Sequence, residues 1–176
     1  MQLGNAAWGL RETPLEQQLA ITAAMGLDLL ELSIAGYDRD YLQLDADEKK
    51  IAEAANLFRK YNVRLDCACT GNDFTGDDAP EQLARVKTVI DIASKLGVKL
   101  LRIFAGFRSD SEVAGPRFTR MLDCLRAAAD YAAPRNVTLA VETHGGVMNN
   151  GDALIHFASA TTRIDWWDDI LSTGVS

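Results

Sequence analysis

Apolar positions fall along this chain in short runs that alternate with longer amphipathic stretches. Leu29 to Ser33, Val63 to Cys69, Leu100 to Ala105 and Thr138 to Glu142 are runs of strand length. Such runs suit strands buried on both faces. Between them lie helical patterns at Asp47–Tyr61, Pro80–Leu96 and Pro116–Ala133, with apolar residues such as Ile51, Ala54 and Phe58 on one face. An earlier helix is predicted from Thr13, with Thr13 as cap, Pro14 at the first helical position and Glu16 completing a capping box. It runs to about Met25 and stops at Gly26, as the third helix stops at Gly97. Met1 to Trp8 is read as a short first strand. Gly151–Ala160 and Ile164–Leu171 read as helices, and a sixth strand would begin at Gly174-Val175-Ser176.

Strand and helix alternating at steady spacing predict repeated βαβ units and a parallel sheet. The loops after the strands are long (Ala35 to Ala46, Gly71 to Ala79, Gly106 to Gly115, Gly145 to Gly151), and those before them are short. That asymmetry fits a parallel (β/α) barrel of TIM type, whose working face is built from the loops after the strands. A doubly wound nucleotide-binding sheet would carry a Gly-x-Gly-x-x-Gly turn after its first strand. Asn5-Ala6-Ala7-Trp8-Gly9 is not one. The 176 residues are read as a single domain, 1–176.

Alternation along each strand sorts the side chains into two faces. Leu30 and Leu32 are assigned to the helices, which sends Glu31 inward. Val63, Leu65, Cys67 and Cys69 are assigned to the helices as well, with Arg64, Asp66, Ala68 and Thr70 opposite. Leu101 and Ile103 point outward, Arg102 and Phe104 inward, and Ala140, Glu142 and His144 share the inward face of the last strand. Glu31, Arg64, Asp66, Arg102 and Glu142 thus gather in a common interior, where charges must be paired, hydrated or bound to metal. Arg102 with Glu31 is the expected structural pair. Glu142 stands apart, because a carboxylate at the carboxyl end of a buried strand, beside His144 and the Gly145-Gly146 turn, is poorly placed for packing and well placed for chemistry.

Composition narrows the partners. A net charge of −7 argues against nucleic acid or an anionic membrane, since both need clustered Lys and Arg. No leader pattern or membrane-length apolar run is seen, and three cysteines without a Cys-x-x-Cys spacing fit a reduced, cytoplasmic setting. Cys67 and Cys69 are read as small core residues, Trp166 and Trp167 as packing for the last helix, and His156 as non-functional. Asn72-Asp73-Phe74 fits either substrate contact or a plain Asx turn.

Taken in order, Gly26-Leu27-Asp28-Leu29-Leu30-Glu31-Leu32, Leu101-Arg102-Ile103-Phe104-Ala105-Gly106 and Val141-Glu142-Thr143-His144-Gly145-Gly146 resemble the xylose isomerase-like TIM barrels, the sugar phosphate isomerases/epimerases. The resemblance implies a metal-dependent isomerase or epimerase acting on a sugar, sugar phosphate or related polyol through an enediolate-type intermediate. A dehydratase or aldolase of the same barrel family, or a non-catalytic truncated product, is the alternative. It implies a divalent metal (Mn, Mg, Co or Zn), with Glu142 at the position of the fifth-strand metal ligand and His144 at a pocket-lining position. Glu142 and His144 are therefore the candidate catalytic residues. Abasic-site endonucleases of the same superfamily need several histidine ligands and a basic surface; this chain has two histidines. A complete (β/α)8 barrel takes about 250 residues. The chain therefore reads as the N-terminal part of one, incomplete, with about five β/α units. It is expected to be inactive by itself, and open barrel edges favour a homo-oligomer.

Overall fold

The computed structural model describes residues 3–108, 115–144 and 151–160. Among these residues, five strands form one parallel sheet in the order β1-β2-β3-β4-β5. They are β1 (Asn5–Ala6), β2 (Leu30–Ser33), β3 (Cys67–Cys69), β4 (Leu100–Phe104) and β5 (Thr138–Glu142). Helices α1 (Leu15–Ala24), α2 (Glu48–Lys60), α3 (Ala79–Leu96) and α4 (Pro116–Ala132) connect them, and α5 (Gly151–Ala160) follows β5. The expected α/β fold, a parallel strand–helix succession of TIM-barrel type, is what forms. The predicted helix at 164–171, the sixth-strand start, Trp166, Trp167 and the His156 side chain lie outside the described residues.

Local signals set several helix ends. Asp47 caps α2 by accepting from the Lys50 N–H at 2.8 Å. Gly97, at φ +76, closes α3 in the left-handed region. Asn62 and Asn136 take the same left-handed conformation just after α2 and after the 3-10 turn at Ala133–Arg135. The capping box expected at Thr13 does not form. Pro14 is the cap residue of α1, and no side chain caps it. Glu16 instead accepts from Lys60 of α2 at 2.5 Å and from Tyr61 at 3.2 Å. The first strand is shorter than predicted, because a 3-10 turn at Ala7–Leu10 takes over directly after Ala6.

One face of the sheet packs on the helices. Leu30, Leu32, Ala68, Leu101, Ile103 and Val141 join Leu19, Phe58, Val86, Ile90, Met121 and Leu125 in a continuous buried core. The opposite face lines an open cavity. The sequence-based assignment of β3 is reversed here: Ala68 packs in the core, while Cys67 and Cys69 face the cavity. Strand register gives the reason. Leu29 pairs with Arg64, and Leu32 pairs with Ala68. Three steps along one strand thus match four along the other, so β3 holds one extra residue before Cys67. A one-residue irregularity of this kind sends every later side chain to the other face. Arg64 and Asp66 precede Cys67, and neither lines the cavity. They pair with each other, and Arg64 reaches Asp28 at 3.3 Å, all at half-exposed positions.

Candidate active site

The cavity, about 810 Å3 in volume, opens at the carboxyl ends of the strands. Three charged side chains meet on its floor, one each from β2, β4 and β5. Arg102 donates from Nε to Glu31 Oε1 at 2.9 Å and from Nη2 to Glu31 Oε2 at 3.4 Å. Its Nη1 donates to Glu142 Oε2. Arg102 must cross β3 to reach Glu31, and the small side chains of Cys67 and Cys69 leave that path open. The Arg102–Glu31 pair expected from sequence is therefore present, and Glu142 is tied to the same guanidinium. Two carboxylates against one guanidinium leave the floor with a net negative charge.

Burial pulls the Arg102 guanidinium toward losing its proton; the Glu31 hydrogen bond and the neighbouring Cys69, Glu31 and Glu142 outweigh it and raise its pKa. Arg102 is permanently cationic. Burial, reinforced by Glu31, pushes the Cys67 thiol up to about 11 and the Cys69 thiol to about 12. Both are held as neutral thiols, poor nucleophiles and poor metal ligands.

Glu142 and His144 share the inward face, as alternation along the strand predicts. His144 Nδ1 lies 3.5 Å from Glu142 Oε1. The imidazole is 5.7 Å from the Phe104 ring and 5.8 Å from the Phe107 ring, edge to face with both. Trp8 and Tyr37 line other parts of the cavity. Phe104 stands on the inward face, as alternation predicts, whereas Trp8, Tyr37 and Phe107 were not foreseen. Phe107 and Tyr37 sit in loops, where no periodicity marks a direction. Thr70 is 2% exposed, and its Oγ1 has no hydrogen-bond partner among the described residues, although it lines the cavity. An orphan buried hydroxyl costs about 1–3 kcal/mol, which a ligand hydroxyl would recover.

Asn72-Asp73-Phe74 proves structural. Asn72 brackets Phe104, donating from Nδ2 to its carbonyl at 2.7 Å while Oδ1 accepts its N–H at 2.9 Å. Asp73 Oδ1 accepts from the Thr75 N–H at 2.9 Å in an Asx turn and from the Phe107 N–H at 3.3 Å. Phe74 is fully buried in the core. The triplet fixes the ends of β3 and β4, and through Phe107 one wall of the cavity.

The described residues do not form a metal centre. Among them, no group of three or more His, Cys, Asp or Glu side chains converges to hold an ion. At Glu142 one oxygen is engaged by Arg102, which leaves Oε1 and the His144 imidazole as donors. Tightly bound metals usually have three or four protein ligands. Among the described residues, no helix is long and apolar enough to cross a membrane.

Comparison with known proteins agrees with this architecture. Residues 19–170 match the family described as xylose isomerase-like TIM barrel. No curated protein sequence matches the chain. Among solved structures, the probable 3-DHS dehydratase AsbF of Bacillus anthracis superposes with a TM-score of 0.72 at 13% identity, over 91% of this chain and 59% of that one. D-allulose 3-epimerase from Methylomonas sp., in complex with D-allulose, gives 0.66 at 20% identity, over 85% and 53%. A xylose isomerase-like TIM barrel protein from Mycobacterium smegmatis, in complex with magnesium, gives 0.67 at 12% identity, over 93% and 62%. At such identities the structural matches establish the fold, and the chain spans less than two thirds of each of these proteins. By the extent of the sequence match, this chain belongs to the xylose isomerase-like TIM barrel family.

Proposed function

We propose that the cavity is part of the active site of an isomerase or epimerase acting on a sugar, sugar phosphate or related polyol. On this reading residues 1–176 are the N-terminal part of a (β/α)8 barrel. The observation that carries it is the pairing of Glu142 Oε1 with His144 Nδ1 at 3.5 Å, at the carboxyl end of β5 and on the cavity side. Glu142 Oε1 is the proton acceptor. It takes the proton from the hydroxyl-bearing carbon next to a carbonyl, the C–H electron pair becomes the second carbon–carbon bond, the carbonyl π pair moves onto its oxygen, and an enediolate forms. Returning the proton to the neighbouring carbon, with the hydroxyl proton passing from one oxygen to the other, gives isomerisation; protonation of the same carbon on its opposite face, by an acid other than Glu142, gives epimerisation. His144 hydrogen-bonds a reacting oxygen. The rings of Phe104 and Phe107 offer apolar faces to the C–H side of a sugar, and Thr70 Oγ1 offers an unspent partner to a hydroxyl.

A divalent cation, as in the magnesium complex of the mycobacterial protein, would take Glu142 as one ligand. The described residues supply too few donors around it, so no step is assigned to the ion. The 176-residue chain is accordingly expected to bind Mn2+ weakly and to turn over no sugar without further ligands. The test is a screen of ketoses and aldoses with Mn2+ on the full-length protein, beside its Glu142→Gln variant. Turnover that falls by about 10²–10⁴-fold in the variant supports the reading. Wild-type turnover in the variant would refute it, and loss of water from the substrate would redirect it to a dehydratase.

A further inference from the structure

We propose that Arg102 is a positioning residue that competes with any cation for Glu142 and divides that carboxylate's two oxygens between structure and chemistry. The inference deepens the functional reading above, resting on its assignment of Glu142 as the reacting carboxylate. Arg102 spends Nε and Nη2 on Glu31, and only Nη1 reaches Glu142. The Glu31 side chain is 17% exposed and Arg102 is 21% exposed, whereas Glu142 is 38% exposed. The two inner partners are therefore the fixed half of the triad, and Glu142 is the half that can exchange. Phe104, whose ring centre lies 5.1 Å from Arg102 Cζ, limits the guanidinium's swing on the cavity side.

Two consequences follow from this asymmetry. With Oε2 held, the carboxylate presents Oε1 alone to the cavity, toward His144. A cation that needs both oxygens must displace Nη1, and one that uses Oε1 alone meets the nearby positive charge. A neutral residue at 102 frees the second oxygen and removes the repulsion. Lysine keeps the charge but lacks the fork, so it holds one carboxylate at a time.

The experiment measures free Mn2+ by electron paramagnetic resonance against wild type, Arg102→Gln, Arg102→Lys and the double variant Glu31→Gln/Arg102→Gln. The double variant leaves no buried carboxylate unpaired at position 31 and keeps the test open where Arg102→Gln alone does not fold. The glutamine variants are expected to bind Mn2+ about tenfold tighter than wild type. Arg102→Lys should tighten binding about threefold, whereas a general effect of net charge would leave it at the wild-type value. Adding Glu142→Gln should abolish the gain. Unchanged affinity in the folded variants, absence of binding in all of them, or a gain that survives Glu142→Gln would overturn the inference. The readout needs no turnover: an intact contrast supports the role of Arg102 even where the full-length protein turns over no sugar, a result that removes the isomerase reading alone.

Discussion

Gly106 is the position where one added methyl group should do most damage to the cavity wall. Its φ of +146 lies where glycine alone is comfortable. A Cβ there would fall 2.5 Å from Asp73 Oδ1 and 2.6 Å from the Thr75 methyl. Neither neighbour is free to yield. Asp73 Oδ1 accepts from the Thr75 N–H, the Thr75 hydroxyl and the Phe107 N–H, and the Asp73 side chain is only 21% exposed. Backbone strain at such a site costs about 1–3 kcal/mol. Displacing a carboxylate from its hydrogen bonds costs about 1.5–3 kcal/mol per bond lost. With one bond lost and the others lengthened, Gly106→Ala should cost about 3 kcal/mol. For a chain of this size that lowers Tm by about 6–12 °C. Urea unfolding followed by circular dichroism measures it, and a double-mutant cycle with Asp73→Ala separates the two contributions. In the Asp73→Ala background Thr75 is released, and the cost of Gly106→Ala should drop to about 1–2 kcal/mol of strain. A cost below about 1 kcal/mol in the wild-type background, or the same cost in both, would refute the steric argument.

Two further outcomes follow from the core and the thiols. Leu101 is fully buried between the sheet and the helices, so Leu101→Ala should destabilise by about 2–5 kcal/mol with no direct effect on the cavity face, as read by urea midpoints. Cys67 and Cys69 titrate near 11 and 12 in the folded chain against an ordinary 9.0. Between those values the unfolded chain releases protons that the folded chain retains, so stability should fall as pH rises above 9. Cys67→Ser/Cys69→Ser should flatten that slope; a slope unchanged by the double substitution would show that other groups govern it.

Much of the fold was legible because each strand–helix unit carries its own signals. Helix starts and ends are encoded within a few residues, as at Asp47 and Gly97, and burial on both faces makes the strands read as apolar runs. Thr13 misled because a capping box is a local pattern, whereas Glu16 has a tertiary partner in Lys60, 44 residues further on. The β3 faces misled for a related reason. Alternation holds only while pairing is regular, and the extra residue between Arg64 and Ala68 is visible only against β2. One slipped residue moved two thiols onto the cavity face and Ala68 into the core.

That slip bears directly on the chemistry of the site. Had Ala68 faced the cavity together with Arg64 and Asp66, Asp66 would have stood beside Arg102 as a rival for its guanidinium. The observed register instead places two short, neutral thiols across the path from β4 to β2, and Arg102 is left with Glu31 and Glu142 as its carboxylate partners. Glu31 is the more buried of the two, so it takes the two-point contact and Glu142 takes the single one. A carboxylate held by one oxygen keeps its orientation and still has lone pairs to offer, which a proton acceptor requires. The sequence marks Glu142 as the reacting group by its place at the strand end. Which of its oxygens is available is decided three strands away, by the register of β3 against β2.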